Sequence, residues 1–318
     1  GGMAQRLAFA AARAGGASIQ FAGEPTKGLD TTMRDSIADL LTGRLGTHGG
    51  LLTVTHDLDL ARKIGGEIMV MLEGAVVERA PAGELLDAPV HRYTKKLVAA
   101  QPSSWPRRPT SSRTASPVLS ARNLAIVRGG RQLAANIYID LEPGGIVGVF
   151  GPSGCGKTTL GNALLGLAPV AGGKIQRDPA IARTRFQKIW QDPPSAFARK
   201  MTLAGEIEAV ARLHSVSPER IGQLRDKLRL PESLFRRLPG EVSGGELQRG
   251  ALLRALLVDP VFLFADEPTS RLDTVTQREV VDLLGAIVRE EGLALLIVSH
   301  DRDLLDRICD RVIRLGAK

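Results

Sequence analysis

Apolar residues in this chain fall into short runs separated by longer amphipathic stretches. Residues 145–150, 261–265 and 293–299 are brief apolar runs that include β-branched and aromatic side chains. Runs of this length and content predict strands buried on both faces. Residues 18–22 and 51–55 read the same way near the start of the chain. Between the runs lie stretches of helical periodicity such as 276–290. Strands alternating with helices predict an α/β fold with a mainly parallel sheet flanked by helices. Residues 67–78, centred on Gly74, predict a hairpin, and 203–241, within a segment of about 194–250, predict a helical subdomain.

One stretch breaks the pattern. Residues 101–117, QPSSWPRRPTSSRTASP, are rich in Pro and Ser and predict a linker. It separates a first segment, 1–100, from a second, 118–318. The two segments repeat each other. QFAGEPTKGLD near the start and LFADEPTSRLD later place Glu24 and Glu267, and Asp30 and Asp273, 243 positions apart. GGMAQR and GGELQR are offset by the same 243, and His56 and His300 by 244. Shared landmarks in one order predict a duplicated domain. The first copy enters partway through the repeat and the second stops where its hairpin would turn, so the chain is expected to be clipped at both ends. In the first copy Gly23 stands where the second has Asp266.

Composition narrows the class. Of 318 residues, 43% are hydrophobic and 24% charged, ordinary for a soluble globular protein. Two cysteines exclude a disulfide framework or a multi-thiolate metal site and fit a reducing cytosol. No apolar run approaches the roughly 20 residues that span a bilayer, and an arginine within residues 1–14 argues against a signal peptide. The net charge of +8 is spread over scattered arginines, and aromatics are 4% of the chain. That favours a solvated basic surface over a base-stacking nucleic-acid platform.

The candidate chemistry begins at GPSGCGKTT: Gly151, Pro152, Ser153, Gly154, Cys155, Gly156, Lys157, Thr158 and Thr159. It follows a predicted strand, opens a predicted helix and fits the P-loop pattern. Glycines let backbone N–H groups curl around phosphate oxygens, and the helix N-terminus adds positive potential. Lys157 would supply a cation to the phosphates and Thr158 a hydroxyl to Mg²⁺. FLFADE ends a buried strand in Asp266 and Glu267. Carboxylates at a strand's C-terminal end in an open α/β sheet face the ligand crevice. Asp266 would hold the Mg²⁺ shell and Glu267 would polarise water, although an Asp-Glu pair also serves to cap a following helix. His300 ends the next strand, on the same rim. Gln191, in KIWQDPP, follows an apolar run, and its amide is placed to sense Mg²⁺ or the water.

VSGGELQR at 242–249 completes a motif order that resembles the ATPase subunits of ABC transporters. The resemblance covers the second segment and nearly all of the first. It implies a P-loop NTPase of the ABC type, preceded by a partial copy of the same domain. It implies ATP and Mg²⁺ as cofactors and ATP held between the P-loop of one domain and the signature of another. The signature residues are Ser243, Gly244, Gly245 and Gln248, with Gly1, Gly2 and Gln5 as their first-copy equivalents. The partner domain would be either the first segment in cis or a second copy. QDPPSAFARKMT and APVHRYTKKLVAAQP resemble the importer group for oligopeptides, dipeptides and nickel. That implies permease subunits, a solute-binding protein, a peripheral position at the cytoplasmic face of the membrane, and peptides or chelated metal as cargo. Two departures stand out. LAIVRGGRQ lacks the aromatic that stacks on adenine in this family, leaving Val127 or Arg128 in its place, and the first segment lacks the P-loop and the Gln. An alternative is an ABC-type ATPase of a soluble complex, as in phosphonate breakdown. Nucleic-acid-acting relatives carry long coiled coils, zinc modules or charged linkers, and none of these is expected here.

Overall fold

The computed structural model describes residues 7, 9–11, 18–26, 29, 31–43, 49–108, 116–270 and 272–316. The chain divides into two compact units: Gly1–Pro106 with Asp273–Arg278, and Arg107–Leu272 with Glu279–Lys318.

The first unit runs β1 (Ile19–Gly23), α1 (Thr31–Thr42), β2 (Gly50–Val54), α2 (Leu58–Ile64), β3 (Glu67–Leu72), β4 (Ala75–Pro81), α3 (Ala82–Asp87) and α4 (Arg92–Ala99). β1 and β2 pair in parallel, and β3 and β4 form the expected hairpin around Gly74. α1 buries Ile37, Ala38 and Leu41, an i, i+1, i+4 stripe typical of a half-buried helix. Asp57 caps α2 by accepting from the Leu60 N–H at 2.9 Å.

The structure corrects the linker. Pro102–Ser104 form a 3₁₀ turn, and Trp105 is only 3% exposed, its indole N–H donating to the Ala100 carbonyl at 2.9 Å. A composition poor in core formers still orders when one large aromatic finds both a seat and a hydrogen-bond acceptor. The first unit therefore extends through Pro106. Residues 109–115 of the expected linker lie outside the described residues.

The second unit holds β5 (Leu119–Arg128), β6 (Arg131–Leu141), β7 (Ile146–Phe150), α5 (Lys157–Leu165), β8 (Val170–Arg177), β9 (Phe186–Ile189), α6 (Leu203–Leu213), α7 (Pro218–Lys227), α8 (Gly244–Leu256), β10 (Phe262–Asp266), α9 (Thr274–Glu291, whose first turn groups with the first unit), β11 (Ala294–Val298), α10 (Arg302–Ile308) and β12 (Arg311–Arg314). Five strands form a parallel sheet in the order β12-β7-β11-β10-β9. A second, antiparallel sheet has the order β6-β5-β8. Every residue of β10 and β11 is buried, so these strands read as continuous apolar runs rather than alternating ones. The core joins Leu124, Ile126 and Ile139 of the antiparallel sheet to Leu160 and Leu164 of α5 and to Phe262 and Phe264 of β10.

The segment between β9 and β10 carries the helices α6, α7 and α8. Thr202 and Ser217 cap α6 and α7 through their hydroxyls, and Pro218 occupies the first turn of α7. Arg220 and Lys227 of α7 both reach Glu291 at the end of α9, at 3.0 and 2.7 Å.

The two parallel pairs share a strand register. β1 and β2 pair from Ile19↔Gly50 to Gly23↔Val54, and β10 and β11 from Phe262↔Ala294 to Asp266↔Val298. Adding the repeat offsets, 243 for the first strand and 244 for the second, carries one register onto the other.

Candidate functional site

The loop at 151–156 joins the end of β7 to the start of α5, with Gly156 as the N-cap at φ 108°. Only glycine adopts that backbone freely. Packing constrains the loop as well. A Cβ on Gly156 would meet Ile126 Cδ1 at 2.8 Å, and one on Gly151 would meet the Leu315 carbonyl oxygen at 2.5 Å. These two glycines are thus required by the protein's own close contacts, independently of any ligand. The Lys157 ammonium donates to the Gly151 and Pro152 carbonyls at 2.7 and 3.1 Å. A long flexible cation is thereby held against the loop it belongs to.

Thr158, on the first turn of α5, donates to Asp266 Oδ1 at 3.1 Å. Asp266 ends β10 and is 3% exposed. Burial pushes its carboxyl above the ordinary range, against the opposing pull of the Lys188 ammonium. Lys188 lies on β9, in register with Phe264. Its Nζ stands 3.5 Å from Asp266 Oδ2 and donates to Asn162 Oδ1 of α5 at 3.0 Å. It also sits over the rings of Trp190 and Phe264 at 4.3 and 5.1 Å. Burial pushes the Lys188 ammonium below its ordinary value despite the pull of Asp266. Sequence reasoning missed Lys188. Its signal was a single cation inside the apolar strand FQKIW.

Glu267 follows Asp266 with φ 49°, a left-handed backbone rare for a residue of this size. Its N–H donates to the Val298 carbonyl at 3.0 Å, which fastens the turn to β11. The side chain is held at both oxygens. Gln191 Nε2 donates to Oε2 at 3.0 Å, and His300 Nε2 lies 2.6 Å from Oε1. His300 Nδ1 is buried with no hydrogen-bond partner. Gln191, Glu267 and His300 come from three separate strand ends that the parallel sheet places side by side, and Thr158 of α5 meets Asp266 of β10.

The SGG segment is arranged differently. Ser243 caps α8 in a capping box, its hydroxyl donating to Glu246 Oε2 at 2.6 Å and accepting from the Glu246 N–H at 3.4 Å. Ser243 and Gly244 are exposed, whereas Gly245 is buried. Gln248 is 2% exposed and its amide atoms have no hydrogen-bond partner, so it faces the interior and not the helix start. Gly1, Gly2 and Gln5 lie outside the described residues.

In the first unit Glu24 shares the backbone of Glu267, with φ 46° and its N–H donating to the Val54 carbonyl at 2.8 Å, and its Oε2 lies 2.8 Å from Nδ1 of His56, whereas His300 presents Nε2 to Glu267. Gly23 takes the register position of Asp266, and nothing lies within 4 Å of where its Cβ would be. A Cβ at position 23 would therefore meet no crowding.

Val127 is half-buried and Arg128 exposed. A cavity of about 810 Å³ adjoins the phosphate loop at Pro152–Cys155, bounded by β6 and β12, with Tyr138 as its aromatic side chain.

Residues 134–270 match the family model described as ABC transporter. The chain is 33% identical over 341 residues to the peptidoglycan transport ATP-binding protein YejF of Agrobacterium fabrum, covering 98% of this chain and 62% of that protein. It is 32% identical over 365 residues to the glutathione import ATP-binding protein GsiA of Escherichia coli, covering 98% and 58%. The chain thus spans about six tenths of the length of these relatives. Among solved structures, a dimeric bacterial ABC transporter cassette matches 62% of this chain and 94% of its own, with TM-score 0.54 and 24% identity. A cbiO1 protein of Clostridium perfringens, part of the ABC transporter complex cbiONQ, matches 63% and 85%, with TM-score 0.56 and 23% identity. The loop and the carboxylate pair thus lie within the residues that match the ABC transporter family model, on the fold of ABC-type P-loop ATPases, and the chain is homologous to the ATP-binding transport proteins named above.

Proposed function

We propose that the second unit binds ATP with Mg²⁺ and hydrolyses it to drive an importer for peptide-like solutes. The observation that carries this is Glu267, held at both carboxylate oxygens by Gln191 and His300 and placed beside the Thr158–Asp266 pair and the glycine loop. The residues suit the groups. Gly154 leaves the loop open, with nothing within 4 Å of where its Cβ would stand, and the start of α5 presents backbone N–H groups toward an anion. Thr158 and Asp266 are hard oxygen donors, and among the described residues no three His, Cys, Asp or Glu side chains gather as a metal site. Magnesium is the cation that suits so sparse a set, because it takes one or two protein ligands and completes its shell from phosphates and water.

When bound, Mg·ATP would supply the phosphoanhydride and a divalent charge to offset the phosphates. The chain's residues do the rest. Lys157 and the loop amides hold the phosphates. Glu267 orients water and accepts its proton, with its carboxylate fixed in direction by Gln191 and His300. Ser243 and Gly244, exposed at the start of α8, offer a second glycine-rich helix start to the nucleotide of a partner domain. That partner would be a second copy; in the alternative, pairing within one chain, Gly1 and Gly2 of the first segment would instead be the signature offered to the nucleotide of the second unit.

No helix among the described residues is long and apolar enough to cross a membrane, so separate permease subunits would form the pathway, with a solute-binding protein delivering cargo. The relatives named for peptidoglycan transport and glutathione import support peptide-like cargo. We read the first unit as a partial copy without a working site of its own. The shared register, the Glu24–His56 pair and the absence of a carboxylate at Gly23 support this.

The test is Mg-ATP turnover by the purified chain beside Glu267→Gln. Turnover in the wild type and at least about a hundredfold loss in the variant, with ATP binding retained, is the expected result. Equal turnover in both would sink the assignment of Glu267. A specific rate that rises with protein concentration would mark pairing of two copies, and a constant rate would mark pairing within one chain. Co-purified permeases in vesicles then test coupling: no solute-dependent change in ATPase rate would overturn the importer role.

A further inference from the structure

Lys188 has no place in the chemistry above, yet it is built into the site as firmly as the residues that do. Its side chain leaves β9 on the face it shares with Phe264, runs under α5 and ends between Asp266 and Asn162. Its side chain and that of Asp266 are 7% and 4% exposed. The ammonium meets the side-chain amide oxygen of Asn162, the Asp266 carboxylate and the faces of Trp190 and Phe264. An ammonium donates three hydrogens and accepts none, so these partners account for it fully. Asp266 in turn is held at both ends, with Thr158 on Oδ1 and Lys188 on Oδ2.

We propose that Lys188 is a positioning residue for Asp266. It pins Oδ2 so that Oδ1 stays aimed at Thr158, and its fixed positive charge offsets part of the repulsion between this carboxylate and an incoming phosphate. Nucleotide binding in this chain therefore depends less on a divalent cation than it would with an uncharged residue at 188. The inference rests on the assignment of 151–159 and Asp266 as the nucleotide site. The physical reason is competition: a buried carboxylate with a built-in cation gains less from a second cation than one without.

The experiment is titration of a fluorescent ATP analogue against the full chain, in excess Mg²⁺ and in EDTA. The quantity read is the ratio of Kd in EDTA to Kd in Mg²⁺. Lys188→Met and Lys188→Gln should raise this ratio about tenfold, chiefly by weakening binding in EDTA. Lys188→Arg, which keeps the charge, should return it to within about threefold of wild type. A merely structural tie between β9 and α5 would weaken binding equally in both buffers and leave the ratio unmoved, and that result overturns the proposal. Lys188→Gln keeps a donor for Asn162, so the comparison stands even if Lys188→Met does not fold. Wild-type chain that binds no analogue in either buffer would overturn the site assignment itself, a different failure from an unmoved ratio.

Discussion

A single methyl group added at Gly161 asks how closely α5 must sit on the sheet. Gly161 lies in the middle of that helix, and a Cβ built there would stand 2.1, 2.2 and 2.4 Å from Cζ, Cε1 and Cε2 of Phe264. Ordinary carbon contacts need roughly 3.5–4.0 Å, so helix and ring must part by more than an ångström. The ring has little room to yield: Phe264 is fully buried on β10, between β9 and β11. The helix must lift. Overpacking of this kind costs about 1–3 kcal/mol, and alanine's better helix propensity returns up to about 1 kcal/mol. The net expectation for Gly161→Ala is about 1–2 kcal/mol of lost stability, a change of roughly 5- to 30-fold in the folded-to-unfolded ratio. A lifted α5 also carries Thr158 away from Asp266, now 3.1 Å from its hydroxyl. A shift of an ångström breaks that hydrogen bond, so nucleotide affinity should fall as well, on the order of tenfold. Urea unfolding followed by circular dichroism measures the first effect, and titration with a fluorescent ATP analogue the second. The double variant Gly161→Ala with Phe264→Leu makes room for the methyl group and should recover part of both losses, giving a favourable coupling energy. Unchanged urea midpoint and unchanged nucleotide affinity in Gly161→Ala would refute the argument that α5 is seated by contact with Phe264.

Three other expectations can be checked with simple assays. Ser243→Ala removes the hydroxyl that caps α8 and should cost about 1 kcal/mol in urea unfolding, while binding of nucleotide by Lys157 and its loop stays at the wild-type level. Of the two thiols, Cys155 is partly exposed in the phosphate loop, whereas Cys309 is buried, and burial pushes its thiol far up. A thiol reagent should therefore modify Cys155 in the native chain, more slowly with ATP present, and reach Cys309 only after denaturation. Burial works to raise the Glu291 carboxyl, but donors from Lys227 and Arg220 outweigh it and hold the carboxyl below its ordinary 4.5. A depressed carboxyl stabilises the fold above that value and stops doing so as pH falls through its folded pKa. The melting temperature of Glu291→Gln should thus be lower than wild type near neutral pH, with the difference shrinking as pH falls below 4.5.

The reach of local pattern is clear in β7, β10 and β11. Their apolar runs, and the GPSGCGKTT that follows the first of them, predicted strand, loop and helix to within a residue or two. Short buried strands and phosphate loops are legible because their causes are local: β-branched and aromatic side chains, and glycines where the backbone turns. The offsets of 243 and 244 between like stretches were legible as well, and the registers of β1–β2 and β10–β11 are related by the same offsets. Where the same reasoning stopped, the cause was not local. The Pro- and Ser-rich stretch promised no order, and Trp105 found an acceptor at Ala100 that composition does not reveal. Gln248 belongs to the signature by motif, yet helical phase turns it inward.

Residue order alone yields a list of parts: strands, glycine-rich loop, carboxylate pair, and the Gln and His that follow strands. Which of these meet was decided by the tertiary structure. Gln191, Glu267 and His300 lie far apart along the chain and touch because β9, β10 and β11 are neighbours in one parallel sheet. Sheet order is a property of the whole packed domain and leaves no mark on any single strand. The left-handed backbone of Glu267 is of the same kind, since a residue that does not favour φ 49° holds it only when its neighbours are fastened on both sides. Lys188 is the sharpest case. A lysine in an apolar strand is written plainly in FQKIW, but only folding supplies Asp266, Asn162 and two aromatic faces around its ammonium. A buried charge is tolerable only beside partners, and those partners come from other elements of the fold.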